Sequence, residues 1–175
     1  MNNAVSNQVA SWLIASLLLV APVHALSAVK SIAVLEFELN DLTLDPGNPA
    51  EVERTLSIKP MLENALAGAN HAIVEVPAAA QHTADEGVGY LFDHPDAAAA
   101  LGRTYGARWV IVGRVHKASF LFVYFKAHVV DVATGAQVAD LVVEVKGPQK
   151  ALTGRGVESL AKQIEAVVDR AAPRN

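Results

Sequence analysis

The sequence contains no cysteine among its 175 residues. Disulfide bonds are therefore excluded, and so is the lipid-bearing cysteine that follows the leader of a bacterial lipoprotein. We expect the mature protein to be free of a lipid anchor.

Charge is missing from the first part of the chain, where no Asp, Glu, Lys or Arg precedes Lys30. Residues 12–21 (WLIASLLLVA) form an apolar run that matches a signal peptide and is too short to span a bilayer. Ala25 follows as the small residue that a signal peptidase requires. We predict a signal peptide over residues 1–25, cleaved after Ala25, and a periplasmic protein of a Gram-negative bacterium. Because residues 1–11 contain no Lys or Arg, an uncleaved amino-terminal anchor helix is the alternative.

The chain also lacks a run of Lys or Arg, and its formal net charge is -4. Binding to a nucleic-acid backbone needs a concentrated positive surface, so we expect no nucleic-acid partner. Apolar residues, in contrast, make up 52% of the sequence, which is enough for one packed core. We therefore expect a single secreted domain over residues 26–175.

Apolar residues recur along this domain with two spacings, that of a helix in some segments and that of a strand in others. Helical spacing begins after Asn48 and ends at Gly68, and a second helix runs from near Pro95 to Gly106. Alternating β-branched and aromatic residues predict strands elsewhere. The predicted strands cover residues 31–39, 71–76, 108–117, 121–132 and 138–146. An apolar stripe that predicts a carboxy-terminal helix consists of Val157, Leu160, Ala161, Ile164, Val167, Val168 and Ala171.

The order of these elements predicts the fold class. Right-handed crossovers allow the first three strands to lie parallel in the order two, one, three, with their helices on opposite faces. The remaining strands then extend the sheet as an antiparallel meander. We predict an α/β fold: a single three-layer domain with a mixed five-stranded sheet, helices on both faces and a carboxy-terminal helix.

Three segments resemble a known group of periplasmic domains: residues 106–115 (GARWVIVGRV), 131–135 (DVATG) and 32–39 (IAVLEFEL). The arrangement is similar to a family of small secreted proteins with a domain of unknown function. In fold it resembles the amino-terminal domain of TolB, the curli secretion lipoprotein CsgG and the lipoprotein activators of penicillin-binding proteins. The resemblance implies a protein that binds other proteins or assembles, and it carries over no catalytic residues. The missing lipid-bearing cysteine argues against outer-membrane anchoring and pore formation.

Motifs for catalysis and cofactor binding are absent from the sequence. A serine nucleophile would need a Gly-x-Ser-x-Gly turn, which is missing, and Ser119 near His116 is interpreted as a turn residue. The glycines of residues 87–89 and 154–156 lack the spacing of a phosphate-binding loop, and the second pair is interpreted as a flexible helix entry. We therefore predict no catalytic, cofactor-binding or metal-binding residues and no enzymatic activity.

The connection over residues 77–94 is longer than a compact domain needs. We predict that it is dispensable for folding and that Tyr90, Leu91 and Phe92 face a partner. Its polar residues support the alternative function, a small-ligand or metal-binding periplasmic protein that uses residues 77–96. The donors are His82, Asp85, Glu86, Asp93, His94 and Asp96, interpreted otherwise as a solvated polar loop.

Acidic residues also end the first predicted strand. Glu36, Glu38 and Asp41 follow its apolar part, at the switch point where open α/β sheets bind ligands. The simpler interpretation of these carboxylates is a solvated strand end.

The meander carries a candidate binding face. Alternation places Arg114, His116, Tyr124, Lys126 and His128 on one side, where a partner could bind or where charge pairs could stabilise a solvated face. We predict these five residues, with Tyr90 and Phe92, as partner-binding residues of a periplasmic non-enzymatic accessory or protein-interaction module whose partner is another periplasmic or envelope protein. Helices should cover the opposite side, which carries Trp109, Ile111, Val115, Leu121, Val123, Phe125, Leu141, Val143 and Val145.

Overall fold

The computed structural model describes residues 31–147 and 150–171, so the predicted signal peptide lies outside the described residues. The strands of this part of the chain are β1 (Ser31–Val34), β2 (Glu38–Asp41), β3 (Ala72–Ile73), β4 (Trp109–Lys117), β5 (Phe122–Asp131) and β6 (Ala136–Lys146). The helices are α1 (Pro49–Gly68), α2 (Ala78–Ala84), α3 (Tyr90–Asp93), α4 (Pro95–Thr104) and α5 (Lys150–Ala171).

The sheet is mixed, as the sequence predicted. β3, β1 and β4 are parallel neighbours, and β4, β5 and β6 form the antiparallel meander. The predicted strand count and order are wrong, because the first predicted strand is two strands, β1 and β2, which both pair with β4. The sheet therefore has six strands, in the order β3-β1-β4-β5-β6 with β2 also beside β4. The predicted strand of residues 71–76 is reduced to β3.

An aromatic side chain packs on the sheet where the chain passes from β1 to β2. Phe37 lies over Gly113 of β4, where an added Cβ would be 2.2 Å from the ring Cζ. The register with β4 shifts by one residue across the break, as at a β-bulge. The side chain of Gln81 pairs with the open backbone at Glu36, accepting from its N–H at 2.8 Å and donating to its carbonyl at 3.0 Å.

Helices cover both faces of the sheet. On one face α1 and α5 bury the predicted apolar residues around Trp109 and Phe125. The stripe of α5 lies in the same core except for Ala171, which is exposed. Leu121 is an exception, because it lies exposed in the bend before β5. On the other face, residues of α3 and α4 pack on Val110 and Val130. Within the described residues, every helix is too short or too polar to cross a membrane.

The predicted loop of residues 77–94 contains α2 and α3 and contributes to the second core. Leu91 and Phe92 are buried there beside Val112, so the prediction that they face a partner is wrong. Their burial is the reason why this segment needs its length. We now expect the segment to be required for folding.

Candidate functional site

The predicted residues of the meander share one face of the sheet. In the β4–β5 register, Arg114 lies opposite Lys126 and His116 opposite Tyr124, and His128 follows on β5. All five side chains are half-buried. The strand alternation that placed them on the same face is confirmed, and their role in binding stays a prediction.

The end of this face next to α3 is closed. The guanidinium of Arg114 lies over the ring of Phe92, 4.2 Å from its centroid. It pairs with Glu38 of β2, and its Nη2 is 3.7 Å from Asp93 Oδ2. Gly89 permits this arrangement, because its φ is +87° and an added Cβ would lie 2.6 Å from Nη2 of Arg114. Arg114 is therefore fixed by contacts within the protein.

His128 belongs to the closed end as well. Its ring lies on that of Phe92, with centroids 3.8 Å apart, and its Nδ1 is 3.0 Å from the Phe92 carbonyl oxygen. Burial lowers the pKa of His128, although the Phe92 carbonyl and Asp140 act in the opposite direction. The imidazole is therefore neutral at pH 7, and its Nδ1–H donates to the carbonyl. Phe92 thus covers the sheet, while the nearby Tyr90 stacks on His94 at 4.3 Å.

The other end of the face is open. The residues at this end, from His116 on β4 to Lys146 on β6, belong to neither buried core. Among them, Phe122 is 38% exposed and Val142 is 48% exposed. The rings of His116 and Tyr124 lie 6.2 Å apart, centroid to centroid. We call this surface the open face; it consists of His116, Phe122, Tyr124, Lys126, Val142, Glu144 and Lys146.

The open face is positively charged. It contains two lysines, Lys126 and Lys146, and one carboxylate, Glu144, whose Oε1 lies 3.2 Å from Nζ of Lys146. Burial lowers the pKa of His116, and the neighbouring Lys126 and Arg114 lower it further. His116 is therefore neutral at pH 7 and contributes an uncharged ring to the open face, near Lys126.

A cleft of about 390 Å³ borders β2 at the carboxyl end of the parallel strands. Its two acidic residues are already paired: Glu38 with Arg114, and Asp41 with Lys117 at 3.2 Å and with the hydroxyl of Thr43 at 2.7 Å. Burial raises the pKa of Asp41, but the hydrogen bonds from Thr43 and Lys117 outweigh it and leave the pKa below its ordinary value. The interpretation of Asp41 as a solvated strand end is wrong, since its side chain is buried.

The donors of the predicted polar loop do not converge on a metal position. Across residues 31–147 and 150–171, no three His, Cys, Asp or Glu side chains are grouped so that they could hold a metal ion. Asp85 instead accepts from the backbone N–H of Gly87 at 3.3 Å, and His94 lies against Tyr90.

Sequence reasoning missed a chain of buried charges on the opposite face. Nζ of Lys117 lies 3.2 Å from Asp41 Oδ2 and 3.6 Å from Glu51 Oε1. Oε2 of Glu51 lies 3.4 Å from Nη1 of Arg54, whose Nε donates to the hydroxyl of Thr153 at 2.9 Å. These contacts join β2, β4, α1 and α5. The one signal in the sequence was the alternation of β4, which places Lys117 on the apolar side.

Comparison with known proteins gives a family and a fold. The profile of the DUF3280 family, described as "Protein of unknown function (DUF2380)", matches residues 30–164. No curated protein matches significantly. The hypothetical protein CT253 from Chlamydia trachomatis has a TM-score of 0.57 and 11% identity, with 80% of this chain and 98% of that chain covered.

Two further solved structures share the fold. The PelC dodecamer from Paraburkholderia phytofirmans has a TM-score of 0.51 and 18% identity, and covers 86% of this chain and 93% of that chain. The lipoprotein GNA1162 from Neisseria meningitidis has a TM-score of 0.51 and 18% identity, with 77% and 96% covered. At these identities the likeness shows the fold alone. The resemblance to TolB and CsgG stays a prediction.

Proposed function

The chain belongs to the DUF3280 family of proteins of unknown function, as its resemblance to such a family predicted, and from this premise we propose that it is a non-enzymatic protein-interaction module of the bacterial envelope. The open face is its binding surface. One observation carries the proposal: His116, Tyr124 and Lys126 lie side by side outside both buried cores, next to the exposed side chains of Phe122 and Val142. Aromatic side chains and an apolar centre with a polar rim are typical of protein-binding surfaces.

Charge indicates the chemistry of the partner. The two lysines of the open face exceed its one carboxylate. A partner that presents an acidic segment with apolar side chains fits this surface, because opposite potentials favour association. The uncharged ring of His116 and the ring of Tyr124 would contact its apolar side chains.

The envelope location is supported by the apolar run before Ala25, which is typical of a signal peptide. The lipoprotein GNA1162 shares the fold, which agrees with this location. This chain has no cysteine, so its module would act without a lipid anchor of its own.

The proposal is tested with the double variant Tyr124→Ala, Lys126→Glu. Wild type and variant are each purified from periplasmic extract, and the proteins that copurify with them are identified by mass spectrometry. Lys162→Glu is the matched control, because Lys162 is exposed on α5, away from the sheet. We expect one acidic envelope protein to copurify with the wild type and the control and to be lost from the double variant, while the melting temperatures stay alike. Copurification that is unchanged in the double variant would refute the binding role of the open face.

A small ligand in the cleft beside β2 is the second candidate. It is supported by Val88, which lines the cleft from the long connection although its side chain is 94% exposed. Native mass spectrometry of protein purified from cells would show a retained ligand, and Val88→Trp should then release it. Protein that carries no ligand would exclude this candidate.

A further inference from the structure

β6 forms a long edge of the sheet. It runs over eleven residues and pairs with β5 alone among the described strands. The N–H of Gly147 donates to the carbonyl of Leu121 at 2.9 Å, which fixes the phase of the ladder. In an antiparallel pair, residues that bond to the neighbour alternate with residues whose N–H and C=O point away. The groups that point away, without a partner among the described residues, are those of Asp140, Val142, Glu144 and Lys146.

Helix α5 leaves this edge accessible. Two grooves separate β6 from α5, one of about 270 Å³ beside Val143 and one of about 460 Å³ beside Leu141. The grooves are lined by apolar side chains that include Leu152 and Val167. A second strand could therefore add to β6 without displacing the helix.

Exposed charges usually protect an edge strand from pairing, but those of β6 complement themselves. When two β6 strands run antiparallel with Val143 opposite its own copy, each Asp140 faces the Lys146 of the other strand. Val142 then faces Glu144. Centring the pair on Val142 would instead oppose Asp140 to Glu144, and centring it on Glu144 would oppose that carboxylate to itself. Centring it on Val145 would pair Glu144 with Lys146 but would overlap only residues 144–146 of the two strands. The register centred on Val143 overlaps residues 140–146, pairs opposite charges at both ends and leaves no like charges opposite each other.

We propose that a second copy of this chain occupies the β6 edge and forms a two-fold dimer with one continuous sheet. The interface is the same strand on both copies, so the assembly closes at two. The outward backbone groups of the two edges hydrogen-bond to each other in the register centred on Val143. Leu141 lies opposite Val145 of the other copy on the side of α5. The two open faces become neighbours on one surface, which gives a partner two equivalent contacts.

Charge swaps test the register directly. Asp140 and Lys146 have side chains 61% and 72% exposed, so their substitution should leave the fold intact. We expect sedimentation velocity of the purified mature protein to show a dimer in the wild type. Asp140→Lys and Lys146→Asp should each raise the dimer Kd by about tenfold or more, because like charges then face each other at both ends. Melting curves check that both variants are folded.

Mixing gives the decisive result. An equimolar mixture of Asp140→Lys and Lys146→Asp should form a heterodimer, because two Lys side chains of one strand then face two Asp side chains of the other. The double swap in one chain should restore the homodimer. A wild type that sediments as a monomer at all concentrations would overturn the proposal, as would single variants that stay dimeric or a mixture that does not associate. These experiments need no partner protein, so they are independent of the proposed function.

Discussion

Gly156 of α5 lies directly against Phe125 of β5. A Cβ added at Gly156 would be 2.8 Å from Cε2 of the Phe125 ring and 2.6 Å from Cγ2 of Val145. These distances are well inside van der Waals contact, and both neighbouring side chains are buried. The absence of a side chain at Gly156 therefore sets how closely α5 packs on the sheet. The prediction that residues 154–156 are a flexible helix entry is wrong, since both glycines lie within α5.

We predict that Gly156→Ala destabilises the protein by about 1–3 kcal/mol, because the methyl group overpacks the core. Gly154→Ala is the matched control: its Cβ would lie 3.6 Å from Cε of Met61, an ordinary contact. Alanine there should be neutral or stabilise the helix by up to about 1 kcal/mol. Urea unfolding of both variants measures the difference, and equal free energies of unfolding would contradict this account.

Removal of Lys117 should have a larger effect. Lys117→Met leaves the carboxylates of Asp41 and Glu51 without their shared cation inside the protein. We expect a loss of about 3–5 kcal/mol in the free energy of unfolding, the usual effect of breaking a buried ion pair. Lys126→Met, on the half-buried side of the sheet, should change it by about 0.5 kcal/mol or less. Similar losses of stability in the two variants would show that the buried ion pairs of Lys117 with Asp41 and Glu51 do not stabilise the fold.

Asp131 should make stability depend on pH. Its carboxylate accepts from Arg108 Nη2 at 2.9 Å and from the N–H of Ala133 at 2.8 Å. Chiefly the hydrogen bonds from Arg108 hold the pKa of Asp131 below its ordinary value of 3.8, against the opposite effect of burial. A carboxylate with a lowered pKa stabilises the fold above the ordinary value, and this stabilisation is lost as pH falls through the lowered pKa.

The variant Asp131→Asn isolates this contribution. At pH 7 we expect it to be less stable than the wild type by about 1.5–3 kcal/mol, the range for hydrogen bonds to a charged group. The difference should shrink as the pH is lowered below about 4, where the Asp131 carboxylate of the unfolded chain begins to take up a proton before that of the folded protein. Thermal unfolding between pH 2 and pH 7 measures it. A difference that is constant over this range would mean that the carboxylate charge is not what stabilises the turn.

Export is predicted to remove residues 1–25. The intact mass of protein from the periplasm should correspond to a chain that begins at Leu26. A chain that keeps its first residues and fractionates with the inner membrane would support the alternative of an anchor helix.

Local sequence signals were sufficient for much of the fold. Asn48 accepts from the N–H of Ala50 at 3.0 Å, as its position before Pro49 indicated, and α1 ends at Gly68. The meander and α5 were predictable because each repeats one period over many residues. The same alternation placed the polar residues of β4 and β5 on one side of each strand, which is why the shared face was found.

Features that depend on contacts distant in sequence could not be predicted. Phe37 packs on Gly113 at the point where the first predicted strand divides into β1 and β2. Nothing in the sequence around either residue indicates that the two are in contact. The same holds for Phe92 beneath Arg114, since a hydrophobic residue in a long connection is equally compatible with an exposed position. Lys117 was assigned no partner, because its carboxylates lie on other elements. The sequence therefore indicated which side of the sheet is polar. It did not indicate which part of that side α3 covers and which part remains accessible.

Site-specific photocrosslinking in intact cells tests the central claim, that the open face binds an acidic envelope protein, most directly. A photoreactive amino acid replaces Tyr124 in one strain and Leu44, which is 98% exposed on the β2–α1 connection, in another. We predict that position 124 yields an adduct with one acidic envelope protein, that Lys126→Glu in the same chain abolishes it, and that position 44 yields none. The account is contradicted if position 124 gives no specific adduct, or if its adduct persists undiminished when Lys126 is reversed.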